Sequence, residues 1–154
     1  MDEQMITNAM KAYGNIVLRV ATSVVGNVTD AEDVFVDVFF ALWKAGNKFE
    51  SEEHKKAWLI RVAINKAKNV IKQAYNRYKA LLSENHPASE KKPDIDLRKA
   101  LNILKPIDRA MLYLHYYEGY TYCEIGKILN MRENTVRSSA LRAREKMKKF
   151  LSNL

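Results

Sequence analysis

Three sets of side chains in this sequence have the types and spacing to do chemistry, and the first set is acidic. Asp30, Asp33 and Asp37 recur at the spacing of one helical face, with Val36 and Phe40 beside them. The other side of that helix is apolar and carries Val34, Phe35, Val38, Phe39 and Leu42. Carboxylates edged by exposed apolar side chains repel DNA, so this face suits a basic protein surface with apolar contacts of its own. An ordinary solvated face is the alternative.

The second set is cationic and rich in amides. At about 100° per residue, a helix from about 55 to 76 places an apolar stripe on one side and a polar face on the other. The polar face carries Arg61, Asn65, Lys68, Asn69, Lys72 and Asn76. Such side chains follow a phosphate backbone, and Trp58 beside them would stack on unpaired bases. The alternative is that Trp58 folds into the core.

The third set lies on the last helix, from about 133 to 151. Its inward side is apolar and carries Val136, Ala140, Ala143, Met147 and Leu151. Its outward side carries Asn134, Arg137, Ser138, Leu141, Arg142 and Glu145, with Lys148 and Lys149 beyond. Arg, Ser and Asn side chains on such a face can bond base edges and phosphates in a major groove. A solvated amphipathic helix is again the alternative.

Composition favours nucleic acid as the partner of the basic surfaces. The net charge is +8 and the isoelectric point is near 9.5, as expected of a chain that displaces counterions from phosphates. With a single cysteine, Cys123, the chain forms no internal disulfide, which favours the reducing cytoplasm. The acidic N-terminus and short apolar runs predict neither a signal peptide nor membrane insertion.

The sequence lacks the groups of residues that a catalytic site requires. His54, His86 and His115 are far apart in sequence, and Cys123 has no partner thiol, so no zinc spacing exists. The sequence contains neither a glycine loop for phosphate nor a nucleophile elbow. We therefore expect no enzyme activity, no metal and no cofactor.

The elements that must position these side chains are helices. Apolar residues at intervals of three and four predict a helix over Ile6 to Val24. Thr29 and Glu32 predict a capping box that opens the next helix, from about 30 to 45. After residues 79–96, which lack an apolar period and contain two prolines, helices are predicted over 97–104, from Ile107 to about 118, over 121–129 and over 133–151. The last two, with Asn130 and Met131 between them, form a helix-turn-helix.

These elements predict an all-α fold of two small helical domains, residues 1–78 and 97–154, joined by a flexible linker over 79–96. Three segments then resemble one family in order and separation. They read DAEDVFVDVFFALW, AWLIRVAINKAKNVI and GYTYCEIGKILNMRENTVRSSALRAREKM, and they are similar to the extracytoplasmic-function sigma factors of bacterial RNA polymerase.

The resemblance implies an alternative sigma factor, a two-domain initiation factor that takes core polymerase to promoters and assists opening of the minus-10 DNA. It implies binding to the beta-prime clamp helices and the beta flap, and it leaves an anti-sigma partner open. The residues matched to polymerase binding are Asp30, Asp33, Asp37, Leu42 and Trp43. Those matched to the melted minus-10 strand are Arg61, Asn65, Lys68 and Asn69, to which Lys72 of the polar face is added, with the loop 45–56 holding an extruded base. Those matched to the minus-35 helix are Thr135, Val136, Arg137, Ser138 and Arg142.

Two other functions stay open from the sequence alone. A helix-turn-helix regulator that is not a polymerase subunit would share the duplex-reading helix. A helical scaffold protein would carry its basic helices only for solubility.

Overall fold

A computed structural model describes residues 1–83 and 103–153, and throughout those ranges every regular element is an α-helix. The first unit contains α1 (Glu3–Val25), α2 (Val28–Ala45) and α3 (Glu52–Ser83). The second contains α4 (Pro106–Tyr116), α5 (Tyr122–Leu129) and α6 (Glu133–Ser152). The predicted all-α fold is confirmed.

The start of α2 differs from the prediction. Asn27, and not Thr29, caps the helix, because its side-chain Oδ1 accepts the backbone N–H of Asp30 at 2.8 Å. Both residue types are good N-caps. The turn at Gly26, whose φ of 83° ends α1, brings Asn27 into the capping position two residues earlier than expected.

The end of α3 also differs from the prediction. The helix continues through Ser83, so residues 79–83 of the predicted linker are helical. No glycine or proline lies between 77 and 83 to stop it. The rest of the predicted linker, and the helix predicted over 97–104 up to residue 102, fall outside the described residues.

The helix-turn-helix forms almost where the sequence predicts it. Thr121 and Glu124 make a reciprocal capping box at the start of α5, and Asn130 ends it in the left-handed conformation with φ of 55°. Gly126 lies against the turn, and a Cβ atom there would be 2.6 Å from the carbonyl oxygen of Met131. Only glycine therefore allows α5 and the turn to approach this closely.

The two units pack on each other around one continuous apolar cluster. Leu42, Leu59 and Val17 of the first unit and Met111 and Leu114 of the second are fully buried in it. The contacts between the units join α1 to α4 and α3 to both α4 and α5. None of the helices in the described ranges is long and apolar enough to cross a membrane.

Candidate nucleic-acid and partner interfaces

The acidic face of α2 is accessible at Asp33 and Asp37. Both side chains are exposed, and neither forms an ion pair with a basic side chain in the part of the chain that the structure describes. Asp30 is half-buried, and its carboxylate accepts a hydrogen bond from Asn27 Nδ2 at 2.9 Å. Asp30 therefore belongs to the start of the helix, whereas Asp33 and Asp37 present unneutralised negative charge.

An apolar edge borders this acidic face, as the helical spacing predicted. Val36, Phe40 and Trp43 are exposed, and Trp43 keeps 55% of its surface accessible. The Phe40 and Trp43 rings lie 6.0 Å apart. Between them and α1 runs a groove of about 690 Å³. It is lined by Met1, Glu3, Ile6, Thr7, Met10, Phe35, Val36, Phe39, Phe40 and Trp43.

Leu42 was expected to bind polymerase, and the structure contradicts that expectation. Its side chain is 0% exposed and lies in the core with Val34 and Val38, so no partner can touch it on the folded protein. Its contribution is to hold α2 against α1 and α3. Phe40 and Trp43 are the exposed aromatic side chains of this apolar edge, and Met10 extends it on the α1 side of the groove, which the sequence pattern did not indicate.

The polar face of α3 is exposed over most of its length. Asn65, Lys68, Asn69 and Lys72 are all accessible. In the described ranges no carboxylate pairs with Lys68 or Lys72. We call these four residues the α3 stripe.

Arg61 and Trp58 were expected beside the α3 stripe, but both make contacts with other parts of the fold. Arg61 is half-buried, and its guanidinium donates to the carbonyl oxygen of Ile128, at the end of α5, at 3.0 Å. Trp58 is half-buried against the core, and its ring meets Phe49 edge-on at 5.4 Å. Of the two alternatives for Trp58, the structure therefore supports packing against the core, because the loop before α3 brings Phe49 into contact with its ring.

The outward face of α6 is accessible, as the spacing predicted. Thr135, Arg137, Ser138 and Arg142 are exposed, whereas Val136 is fully buried and packs the helix inward. The Val136 side chain therefore cannot contact DNA, and Val136 is removed from the residues expected to bind the minus-35 element. We call the four exposed residues the α6 face.

Tyrosines outside α6 hold two of its arginines. The Arg137 guanidinium lies 5.4 Å from the centre of the Tyr122 ring. It also donates a hydrogen bond of 3.0 Å to Glu133 Oε1. Arg144 lies over the Tyr116 ring at 5.6 Å. These contacts were not predicted from the sequence, although the tyrosines cluster just before the helix-turn-helix.

Tyr122 is itself fixed by a histidine. The His115 ring stacks on Tyr122 at 4.2 Å, and its Nδ1 lies 2.7 Å from the carbonyl oxygen of Tyr120. The end of α4, the start of α5 and the start of α6 are therefore joined by stacked rings under Arg137.

Charged side chains hold the two units together. Arg109 is buried and donates to the Val24 carbonyl oxygen, at the end of α1, at 2.6 Å, and to the Leu104 carbonyl oxygen. Burial lowers the pKa of Arg109. No sequence pattern indicated this contact, because Arg109 lies inside an otherwise ordinary amphipathic helix.

A second contact between the units is an ion pair. Arg19 Nε lies 2.9 Å from Glu118 Oε1, and the Tyr113 hydroxyl donates to the same carboxylate at 2.7 Å. Burial raises the pKa of Glu118, but the hydrogen bonds from Tyr113 and Arg19 outweigh it and leave that pKa below its ordinary value. Burial and the same carboxylate raise the pKa of Tyr113 to about 12.

Metal ligation finds no support in residues 1–83 and 103–153, where no three His, Cys, Asp or Glu side chains come together as ligands would. His86 lies outside the described residues, and Cys123 is an exposed free thiol.

Comparison with known proteins gives two family matches on one chain. Residues 9–77 match sigma-70 region 2, and residues 94–147 match sigma-70 region 4. The first match holds the acidic face and the α3 stripe. The second holds the helix-turn-helix with the α6 face.

Whole-chain relatives agree with both regions. The chain is 27% identical to the ECF RNA polymerase sigma factor SigE of Mycolicibacterium smegmatis over 93% of its own length and 60% of that relative's length. It is 24% identical to the RNA polymerase sigma factor NccH of Alcaligenes xylosoxydans xylosoxydans over 99% of its length and 89% of the relative's. The chain thus spans less than two thirds of SigE and most of NccH.

A solved structure shares the fold. The sigma factor RpoE of Bartonella quintana, crystallised with the anti-sigma factor NepR, superposes with a TM-score of 0.69 at 24% identity, covering 95% of this chain and 96% of that one. Region 2 and region 4 in order, together with relatives of one kind along the whole chain, lead to one conclusion: this chain belongs to the extracytoplasmic-function group of the sigma-70 family.

Proposed function

We propose that this protein is an alternative sigma factor, which directs core RNA polymerase to specific promoters and assists melting of the minus-10 element. The observation that carries the proposal is the separation of charge: Asp33 and Asp37 lie on one surface, and the α3 stripe and the α6 face lie on others. No ion pair joins the acidic surface to either basic one within the described ranges. Each surface therefore keeps its charge for a different partner.

The acidic surface fits a basic protein. Asp33 and Asp37 supply the charge, and Phe40 and Trp43 supply apolar area that would be desolvated on binding. The groove between α1 and α2 extends that area. Its partner in this proposal is the clamp helices of the largest polymerase subunit.

The two basic surfaces fit nucleic acid in two forms. The α3 stripe combines amides and lysines without fixed arginines, which suits a flexible unpaired strand. The α6 face carries arginines in a helix-turn-helix, which suits duplex DNA at the minus-35 element. Melting costs about 1.4 kcal/mol per stacked step, so contacts to the captured strand and to polymerase must offset it.

Promoter opening requires a change in the contacts between the units. Arg61 can join the α3 stripe only after it leaves the carbonyl oxygen of Ile128. The connection through residues 84–102 keeps the second DNA contact at a high effective concentration once the first has formed. Two weakly binding units can then select a promoter together.

Other properties follow from the same role. The protein would act without catalytic residues of its own, as a polymerase subunit in the cytoplasm. Since the structurally similar RpoE was crystallised with an anti-sigma factor, an anti-sigma protein is a further partner that we propose here.

Transcription with purified core polymerase on a library of genomic fragments tests the function. We expect start sites that appear only when this protein is added and that share two upstream elements. A helix-turn-helix regulator outside polymerase would bind DNA but produce no such starts, and that result would refute the proposal.

Charge reversal tests the acidic surface separately. Asp33→Lys combined with Asp37→Lys should lower affinity for core polymerase by about 100-fold, because like charges facing each other cost several kcal/mol. Glu53→Lys reverses an exposed carboxylate at the start of α3, away from this surface, and serves as control. Unchanged capture of core polymerase by the double variant would place the interface elsewhere.

A further inference from the structure

The last turns of α3 are exposed among the residues that the structure describes. Every side chain from Lys72 to Lys79 is exposed. This segment includes Tyr75 and Tyr78, which keep 57% and 52% of their surface accessible. Among the described residues these two large aromatic side chains stay more than half accessible, so they form an exposed apolar surface.

The charge of this helix end has one sign. No acidic residue occurs from 54 to 83, whereas Lys72, Arg77 and Lys79 lie within its last turns. Such a surface repels basic partners and attracts polyanions. Exposed tyrosines interleaved with lysines are the composition of a single-strand platform, in which a ring stacks on a base and a cation neutralises a phosphate.

The register places part of this helix end in line with the α3 stripe. Lys68, Lys72, Tyr75 and Lys79 follow one another at intervals of four, three and four, so they share one side of the helix. The Lys79 ammonium lies 5.4 Å from the centre of the Tyr75 ring, which fixes the pair on that side. Arg77 projects about 160° away from Lys79.

We propose that Tyr75 and Lys79 form a second contact for the unpaired DNA strand, beyond the α3 stripe. Tyr75 stacks on a base and Lys79 neutralises a neighbouring phosphate. From Asn65 to Lys79 the helix rises about 21 Å, enough for about six nucleotides at about 3.4 Å each. Tyr75 thereby takes the stacking role that the sequence suggested for Trp58, whose ring packs on Phe49. The inference rests on the proposed function and extends its strand-binding surface.

Binding of the full-length protein to a fluorescein-labelled single strand of about 12 nucleotides, followed by anisotropy, tests this contact. Tyr75→Ala should weaken binding about tenfold, since a stacked base is lost, whereas Tyr75→Phe should bind as the wild type does. Tyr78→Ala removes an equally exposed ring on the same helix end, farther from the stripe, and should change little.

The lysine is tested by salt dependence. Lys79→Gln should reduce the slope of log affinity against log salt by about 0.7, the value for one phosphate contact on a single strand. Arg77→Gln removes the same charge from the opposite side of the helix and should reduce the slope less than Lys79→Gln does. A labelled hairpin duplex should respond to neither variant, because the contact is to an unpaired strand.

Several results would overturn the inference. They are wild-type protein that does not bind the single strand, equal losses for Tyr75→Ala and Tyr78→Ala, equal slopes for Lys79→Gln and Arg77→Gln, or an effect on the duplex alone. A loss of core polymerase binding in Tyr75→Ala with unchanged DNA binding would assign the helix end to a protein partner. Failure of the proposed function is distinct, because it would appear as wild-type protein that supports no promoter-dependent starts with core polymerase.

Discussion

The α3 stripe and the α6 face are both cationic, but the fold prepares them differently. The lysines and amides of the α3 stripe are exposed, and the stripe leads into a helix end whose side chains from Lys72 to Lys79 are exposed among the described residues. On α6, by contrast, Arg137 is held by Glu133 and by the Tyr122 ring, and Arg144 by the Tyr116 ring. The first surface is adaptable and the second is ordered in advance.

Under the proposed function, this difference explains how one chain would bind two forms of DNA. A duplex has fixed groove geometry, so side chains that read it gain when their rotamers are set before binding. An unpaired strand has no fixed geometry, so mobile lysines and amides lose less by following it. We therefore expect changes to the supports of α6 to affect selectivity, and changes to the charge of α3 to affect strand capture.

The largest difference between the two cationic surfaces is expected from a change at Gly126. In Gly126→Ala the new Cβ would meet the Met131 carbonyl oxygen at 2.6 Å, so the turn must shift and α6 with it. We expect promoter-specific duplex binding to fall to the level of non-specific binding, with single-strand binding retained within about twofold. Lys127→Ala, at the exposed neighbouring residue, is the control, and full duplex specificity in Gly126→Ala would contradict this role of the turn.

A smaller effect is expected at Arg137. Arg137→Ala should lower affinity for promoter duplex by about 10- to 100-fold if its guanidinium makes a bidentate base contact. Tyr122→Leu should lower the same affinity by about fivefold, since only the ring beneath the guanidinium is lost. Tyr122→Phe keeps the ring and should leave the affinity unchanged. Competition against a scrambled minus-35 sequence measures selectivity. Equal loss on both sequences would mean that Arg137 contacts phosphate alone.

The contact between the units gives a third test. Arg109→Met removes hydrogen bonds to the Val24 and Leu104 carbonyl oxygens in a buried site, so we expect a loss of about 1 to 3 kcal/mol in the free energy of unfolding. Small-angle scattering should show a larger radius of gyration, because the units separate. Arg132→Met, at an exposed position, should change neither value. An unchanged radius would show that the apolar cluster and the remaining polar contacts hold the units together without Arg109.

The smallest expected effect is on pH dependence. Because the pKa of Glu118 is lowered in the folded protein, its ionised form stabilises the contact with Arg19 at neutral pH. That stabilisation is present above about pH 4 and is lost as the pH falls through the lowered value. Urea unfolding of the wild type and Glu118→Gln should therefore differ at neutral pH and converge in acid. A difference that grows on acidification would reverse this assignment.

Local signals in the sequence predicted much of the fold. The helices predicted over 121–129 and 133–151, with Asn130 and Met131 between them, match the observed helix-turn-helix within a residue, since a residue that tolerates the left-handed turn acts within a single turn of chain. Apolar spacing likewise separated the buried from the exposed side of α2. The start of α2 was missed because Asn27 and Thr29 are both capable caps, and only the backbone turn at Gly26 decides between them.

Contacts between distant residues were beyond the sequence. Arg61 was predicted on an open face, yet it bonds the carbonyl oxygen of Ile128, and nothing in either segment specifies that meeting. Leu42 matched a family position for partner binding, whereas the packing of three helices buries it. Side-chain type and spacing predict a face, but the neighbours on that face depend on how the two units pack.

Permanganate reactivity of thymines in a promoter tests whether the α3 stripe binds the melted strand, because the reagent detects unpaired bases. Lys68→Gln combined with Lys72→Gln should assemble with core polymerase and occupy the minus-35 duplex as the wild type does, yet leave minus-10 thymines unreactive. Lys11→Gln with Arg77→Gln removes the same charge elsewhere and should show full reactivity. Wild-type reactivity in the first variant would contradict the assignment of the α3 stripe to the melted strand.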